Sequence, residues 1–161
     1  MNSIKDIILE HNQILLTRSK LEKMFNIIAN CRVTIGGSYM LKYWSDAYAS
    51  RVVNDYDFIL YAKNSDYFKI VRFLNQLQDI LPIISKGCSY NSFYLGTLNG
   101  KNINIIPKKV DALPLSYVEE LQDIIKVKEK WVEKAIKKGC KPRPKDLTDI
   151  EIFHNKIDLP F

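Results

Sequence analysis

The chain has 161 residues, 47% of them hydrophobic, and a formal net charge of +6 at pH 7. This length and composition predict one globular domain with a single core and exclude an intrinsically disordered chain. No run approaches the roughly 18 consecutive apolar residues of a membrane span, and the first apolar stretch contains an acid and a histidine, unlike a signal peptide. The 3 widely spaced cysteines argue against disulfides and structural zinc, so we expect a cytoplasmic protein.

The positive charge is concentrated in one segment. Residues 126–145 carry nine Lys or Arg against two Glu, a local charge of +7, so the rest of the chain sums to −1. Such a segment attracts a polyanion, either nucleic acid or a nucleoside triphosphate. A solvated helix face is the plainer reading, and the sequence leaves both open.

The N-terminal region predicts two helices. Ser3-x-x-Asp6 and Ser19-x-x-Glu22 each resemble a capping box, in which a hydroxyl and a carboxylate satisfy the free N–H groups at a helix start. An apolar stripe on the second helix ends near Asn30.

A strand, a tight turn and a helix are predicted next. CRVTI is a short run typical of a strand; it stops at Gly36-Gly37, and a helix begins at Ser38. Residues 45–53 show no clear period and indicate a loop, after which DYDFILYA predicts a second strand.

The rest of the chain alternates capped helices with a hairpin. Asn64 begins a helix, and Asn99-Gly100 favours a type I′ turn between two strands. Ser116-x-x-Glu119 begins the longest helix, with its apolar residues inward and its lysines mostly outward; Gly139 ends it, and a last helix begins near Asp146.

The predicted order ααβαβαββαα describes a small α+β domain without a dividing linker. The N-terminal helices occupy 1–30, the sheet core 31–110 and the C-terminal helices 114–161, all within a single domain over 1–161.

Asp55 and Asp57 form the first signal that points to chemistry. Side chains at i and i+2 of a strand share a face, so the two carboxylates project side by side. Adjacent carboxylates repel unless a cation lies between them, and hard oxygen ligands suit Mg²⁺ or Mn²⁺. The structural alternative is the ordinary polar and apolar alternation of a half-exposed strand.

Gly36, Gly37 and Ser38, here called the glycine turn, form the second signal. Glycines at a strand end let the backbone approach a ligand, and the following helix start offers N–H groups and a positive dipole end to phosphate. The plainer reading is a connection that only needs a positive φ. If the two strands are neighbours, glycine turn and carboxylates would face one site, as metal-assisted nucleotidyl transfer requires.

The chain resembles the nucleotidyltransferases of the DNA polymerase beta superfamily in the order of its motifs: a strand, then Gly-Gly-Ser, then a helix and then a D-x-D strand. The most similar subgroup is the compact one that contains abortive-infection toxins and antibiotic nucleotidyltransferases. The resemblance implies a nucleotidyltransferase-like fold, a small mixed sheet flanked by helices. It also implies that Asp55 and Asp57 hold Mg²⁺ or Mn²⁺, while the glycine turn holds the terminal phosphates of a nucleoside triphosphate such as ATP.

Two further residues carry the resemblance. The toxin-like subgroup often has the motif Arg-x-Ser-x-Asp-h-Asp-h, where h is apolar. This chain has the arginine of that motif, at Arg51, but Val53 replaces the serine. The family also has a lysine on a long helix, matched here by Lys130, followed by a helix start that resembles the stretch containing Asp146 and Asp149. The resemblance implies that Arg51 and Lys130 bind the triphosphate, although neighbouring lysines leave that choice open.

This chain departs from the family at one position. Members of the superfamily usually have a third acid on a later strand, where it joins the metal site and helps to deprotonate the attacking hydroxyl. The matching position here is Asn104, an amide that can offer its carbonyl to a metal but cannot act as a base. Asp111, beyond that strand, is a candidate substitute.

These observations support two hypotheses. The first is an enzyme that binds a nucleoside triphosphate with Mg²⁺ and transfers NMP to a hydroxyl of RNA, a protein or a small molecule. The second is an inactive protein of the same fold whose segment 126–145 binds nucleic acid or a protein partner. An α/β domain in which the glycines and acids are only structural remains a third reading.

Overall fold

The computed structural model describes residues 4–44, 48, 51–80, 85–86, 92–114 and 117–156. Five helices and five strands lie within these ranges, in the order α1 (Ile4–Asn26), β1 (Cys31–Gly36), α2 (Gly37–Trp44), β2 (Asp55–Ala62), α3 (Asn64–Ile80), β3 (Ser85–Lys86), β4 (Phe93–Leu98), β5 (Lys101–Lys109), α4 (Tyr117–Lys137) and α5 (Pro144–Lys156). The predicted α+β class is confirmed, with a mixed sheet and flanking helices. No described helix is both long enough and apolar enough to cross a membrane.

The prediction of two N-terminal helices is wrong, because α1 continues through Ser19 to Asn26. The predicted cap residue Glu22 instead accepts a hydrogen bond from the Val33 amide at 2.9 Å, and Arg18 donates to the Val33 carbonyl at 2.7 Å. β1 is an edge strand, so these side chains satisfy backbone groups that the sheet leaves open. Ser3, the other predicted cap, lies outside the described residues.

The sheet has the order β1-β2-β5-β4-β3. β2 pairs parallel with β5, and β4 pairs antiparallel with β5 and with the two-residue β3, which the sequence analysis missed. Asn99 and Gly100 have φ of 54° and 73°, the positive values that a type I′ turn requires, so the predicted hairpin is confirmed. β5 is therefore held between β2 and β4 over residues 102–105, the stretch that contains Asn104.

The chain divides into two compact units. The first, Met1–Ile35 with Asn54–Pro114, contains the sheet, α1 and α3. Alternate residues of β2 fill the core of this unit, since Tyr56, Phe58 and Leu60 are buried. Asp55 and Asp57, which alternate with them, are half-buried.

The second unit is Gly36–Val53 with Leu115–Phe161, and it contains α2, α4 and α5. Its core joins these helices through a buried cluster of Met40, Leu41, Tyr48, Leu121 and Ile124, against which Ile152 and Phe153 pack.

The end of α4 agrees with the sequence, because Gly139 has a φ of 71° and the amide of Cys140 donates to the Ala135 carbonyl at 2.8 Å. One inward assignment on this helix is wrong: Ile136 is 63% exposed.

Candidate functional site

Asp55 and Asp57 lie on one face of β2, where both are half-buried. The parallel register sets Asp55 opposite Asn102 and Asp57 opposite Asn104 on β5. Two carboxylates and two amides therefore occupy neighbouring positions on adjacent strands. This arrangement lies entirely within the first unit.

Asn104 contacts the acidic pair directly. Its Nδ2 donates a hydrogen bond to Oδ1 of Asp57 over 3.1 Å. The amide nitrogen can orient the carboxylate, but only the amide oxygen has a lone pair for a metal. Asn104, the position at which the resemblance leads us to expect a third acid, thus borders the acidic pair, and it holds a neutral hydrogen-bond donor.

Asp111 does not replace that acid. It lies in an exposed bend beyond the end of β5 at Lys109. Lys109 is already about 16 Å along the strand from Asn104, at 3.3 Å per residue. The carboxylate of Asp111 therefore lies beyond the reach of a cation held at Asp57.

The glycine turn has the local geometry that the sequence predicted. Gly36 is the last residue of β1, and Gly37, with φ of 61°, is the first residue of α2. Ser38 follows in the first turn of that helix, half-buried. The positive φ explains the second glycine without reference to a ligand, so the plainer reading is satisfied as well.

The predicted site residues divide between the two units. Asp55, Asp57 and Asn104 belong to the first unit, whereas Arg51, Lys130 and the glycine turn belong to the second. β1, which leads into the glycine turn, is the sheet neighbour of β2. Within the units, the structure brings Asp57 and Asn104 together.

Arg51 is held by a carboxylate of its own unit. Its Nε lies 3.2 Å from Oδ1 of Asp149 on α5, and its side chain is largely buried. The Tyr48 hydroxyl donates to the backbone carbonyl of the same Asp149 at 2.8 Å. Burial is the main cause that raises the pKa of the Tyr48 hydroxyl, and the negative charge of Asp149 is the second. The hydroxyl therefore stays protonated and can donate this hydrogen bond. These contacts tie the segment before β2 to α5.

The sequence analysis missed Lys128, which is the buried lysine of α4. Its Nζ lies 2.9 Å from Oδ1 of Asp146 and 3.2 Å from Oδ2 of Asp149, and the residue is 6% exposed. Lys130, the sequence-predicted phosphate ligand, is exposed on the same helix. Asp146 and Asp149 are three residues apart on α5, a spacing that places both on one helix face and could have indicated a shared cation.

We call the buried carboxylates and the basic residues that pair with them the buried charge cluster: Arg51, Lys128, Arg143, Asp146 and Asp149; the Arg143 side chain itself is 50% exposed. Asp146 is the most strongly bound carboxylate of this cluster. Arg143 donates to both Asp146 oxygens, at 2.8 and 2.9 Å, and Lys128 donates to Oδ1. Burial by itself raises the pKa of Asp146, but the hydrogen bonds and charges of Arg143 and Lys128 outweigh it and lower the pKa. Asp146 is therefore an ion-pair residue of the fold.

The donor set on β2 is compatible with a Mg²⁺ ion. Among the described residues no group of three or more His, Cys, Asp or Glu side chains could enclose a metal. Mg²⁺ does not need such an enclosure, because it is commonly bound by one or two carboxylates together with substrate phosphates and water. Asp55 and Asp57 supply that number of hard oxygen ligands on one strand face.

Comparison with known proteins finds a distant structural likeness and does not identify a family. No family model and no curated protein matches the chain. It is similar to a chain in the structure of the E. coli MS115-1 CdnC:HORMA-deltaN complex, with 17% identity and a TM-score of 0.49. The match covers 92% of this chain and 58% of that one, so the present chain spans little more than half of its length. A likeness at this level carries no weight in assigning a function.

Replacing Lys128 with methionine should lower the free energy of unfolding by about 3–5 kcal/mol, because two buried carboxylates lose a shared cation. The matched change Lys130→Met on the exposed face should stay within about 0.5 kcal/mol. Urea denaturation of both variants measures the contrast, and equal values would contradict the structural role given to Lys128.

Acid should weaken the buried charge cluster in a defined direction. Because the folded-state pKa of Asp146 lies below the ordinary value of 3.8, its stabilisation is complete above that pH and is lost as pH falls through the lowered pKa. The difference in unfolding free energy between wild type and Asp146→Asn should therefore narrow from about pH 5 to pH 2. Denaturation at several pH values checks this, and a constant difference would exclude an ionised, paired Asp146.

Proposed function

We propose that the protein binds a nucleoside triphosphate with Mg²⁺ or Mn²⁺ and transfers NMP to a hydroxyl of RNA, a protein or a small molecule. One observation carries the proposal: Asp55 and Asp57 share a face of β2, beside Asn104 of the parallel neighbour β5. The local geometry of the glycine turn, with Gly37 at φ 61° as the first residue of α2, is compatible with phosphate binding.

The proposed site residues would bind different parts of the metal nucleotide. Asp55 and Asp57 would hold the cation, which when bound supplies positive charge to neutralise the triphosphate. In the second unit, the glycine turn could offer backbone N–H groups and the positive end of the α2 dipole to a phosphate. Arg51 and Lys128 already pair with carboxylates of the second unit, so exposed Lys130 is the better candidate in that unit for a phosphate contact.

The transfer itself is a displacement at phosphorus. The acceptor oxygen forms a bond to the α-phosphorus, the bond to the bridging oxygen breaks, and pyrophosphate leaves with the electron pair. The hydroxyl proton must pass to a base, and Asn104 cannot accept it. Solvent or a remaining carboxylate has to take that proton, so the reaction should be slow.

The same amide favours the second candidate function. A site with two carboxylates and a neutral third position could bind a metal nucleotide without turning it over. The protein would then be an inactive member of the proposed fold that binds nucleic acid or a protein partner, and transfer and binding assays have to be read separately.

The test of transfer uses each labelled triphosphate with Mg²⁺ or Mn²⁺. Wild type should transfer label, and Asp57→Asn should lose it, because one of the two cation ligands is removed. Asp79→Asn, an exposed acid on α3, is the matched control and should behave as wild type. Equal transfer by wild type and Asp57→Asn would exclude this mechanism; Mn²⁺ binding without transfer would favour the inactive candidate.

Asn104→Asp should restore the missing carboxylate. Without metal the variant should be less stable than wild type by about 1–3 kcal/mol, because Asp57 loses its donor and gains a like charge. Mn²⁺ should then raise its melting temperature more than that of wild type. A third acid that serves as the base should also raise transfer by about 10²–10⁴-fold.

The matched control for this change is Asn75→Asp, an exposed substitution on α3 with the same change in charge. An identical Mn²⁺ shift in wild type and Asn104→Asp would show that position 104 does not border a cation site.

A further inference from the structure

We propose that the second unit carries a docking surface for single-stranded RNA, formed by the exposed lysines at the C-terminal end of α4 and just beyond it. The surface is independent of the acidic pair; the choice of RNA rests on the proposed function, because an RNA end supplies the hydroxyl that the transfer needs. We call this surface the lysine face, and it consists of Lys126, Lys130, Lys134, Lys137, Lys138, Lys141 and Lys145.

Pairing with the buried carboxylates Asp146 and Asp149 separates the nine basic residues of segment 126–145 into two groups. Lys128 and Arg143 neutralise the carboxylates of the buried charge cluster and are used by the fold. The seven lysines of the lysine face are all exposed. The surplus positive charge that the sequence showed is therefore presented to solvent.

The lysines recur with the period of the helix. Lys126, Lys130 and Lys134 are four residues apart, so they lie on one face at steps of about 6 Å along the axis. Lys137 continues the row, and Lys126 to Lys137 spans about 16 Å. A flexible single strand can bring several successive phosphates to such a row.

The acids nearby offset only part of this charge. Two glutamates lie on this stretch of α4: Glu133 pairs with Lys137 at 3.4 Å, and Glu129 contacts His154 at 2.9 Å. Seven lysines against two glutamates leave a clear positive excess. The other acids of α4 precede the lysine face, at Glu119, Glu120 and Asp123. Among the described residues no ion pair involves Lys126, Lys130 or Lys134.

The helix dipole explains only part of the pattern. Cations stabilise the last turn of a helix, which accounts for Lys134 and Lys137, but the effect falls off within that turn. Lys126 and Lys130 lie further from the helix end. The helix dipole therefore does not account for their placement, and a polyanion partner would use it.

The surroundings favour RNA over an anionic membrane. A helix that lies on a bilayer inserts an apolar face. The apolar residues Leu121, Ile124 and Ile125 of α4 are buried in the protein, and Ile136 is the one large hydrophobic side chain of residues 119–137 that is exposed. The lysine face therefore offers charge with little apolar area to insert.

The test measures binding of a short, unstructured labelled RNA between about 50 and 200 mM salt. The variant changes Lys126, Lys134 and Lys138 to Gln, and it leaves Lys130 in place so that nucleotide binding is not disturbed. The control changes Lys5, Lys20 and Lys23, exposed lysines of α1, to Gln, with the same loss of three charges. Melting curves confirm that both are folded.

We expect the lysine-face variant to reduce the slope of log K against log salt by about 2, since each lost phosphate contact removes about 0.7. At 0.1 M salt its affinity should fall about 10- to 100-fold, while the α1 control changes little. Asp57→Asn should bind RNA as wild type does, so loss of transfer alone would leave this surface intact.

Three outcomes would overturn the proposal. Equal losses in the two triple variants would mean that binding follows net charge only. Tighter binding of a single-stranded DNA of the same sequence would reject RNA as the partner. Loss of binding to phosphatidylserine vesicles in the lysine-face variant, with no RNA binding by wild type, would assign the surface to membranes.

Discussion

The parallel pairing of β2 with β5 is the constraint on which the candidate site depends. It sets Asp57 opposite Asn104, close enough for a 3.1 Å hydrogen bond, while the alternate residues Tyr56 and Phe58 enter the core. A slip of one residue would exchange the two faces and bury both carboxylates, so core packing fixes the register. The sheet thus presents the acidic pair because its other face must be apolar.

In the second unit, electrostatics organise the fold and also decide what remains exposed. Asp146 and Asp149 are buried, and buried carboxylates require cations and hydrogen bonds. Lys128, Arg143 and Arg51 supply the cations, and Lys128 and Arg143 also donate hydrogen bonds to Asp146, so the charges of these three basic residues are used inside the fold. The seven lysines of the lysine face do not pair with these buried carboxylates and stay exposed, which is why we propose that they bind RNA.

Local signals allowed much of the sheet to be predicted. The alternation of β2 and the Asn99-Gly100 turn each encode their own geometry, and Gly139 marks a helix end in the same way. Tertiary contacts decided the rest. Glu22 forms part of a continuous helix because it satisfies the edge of β1, and the two-residue β3 carries too little pattern to detect. Lys128 and Lys130 are equivalent in the sequence and differ only by which side of α4 meets α5.

The most direct test of the account is a crystal structure with Mn²⁺ and a non-hydrolysable nucleoside triphosphate, read by anomalous scattering. The account predicts a manganese peak bound to oxygens of both Asp55 and Asp57 at about 2.1 Å, shared with the phosphates. A nucleotide bound elsewhere, or carboxylates without metal while Mn²⁺ binds at another place, would contradict it.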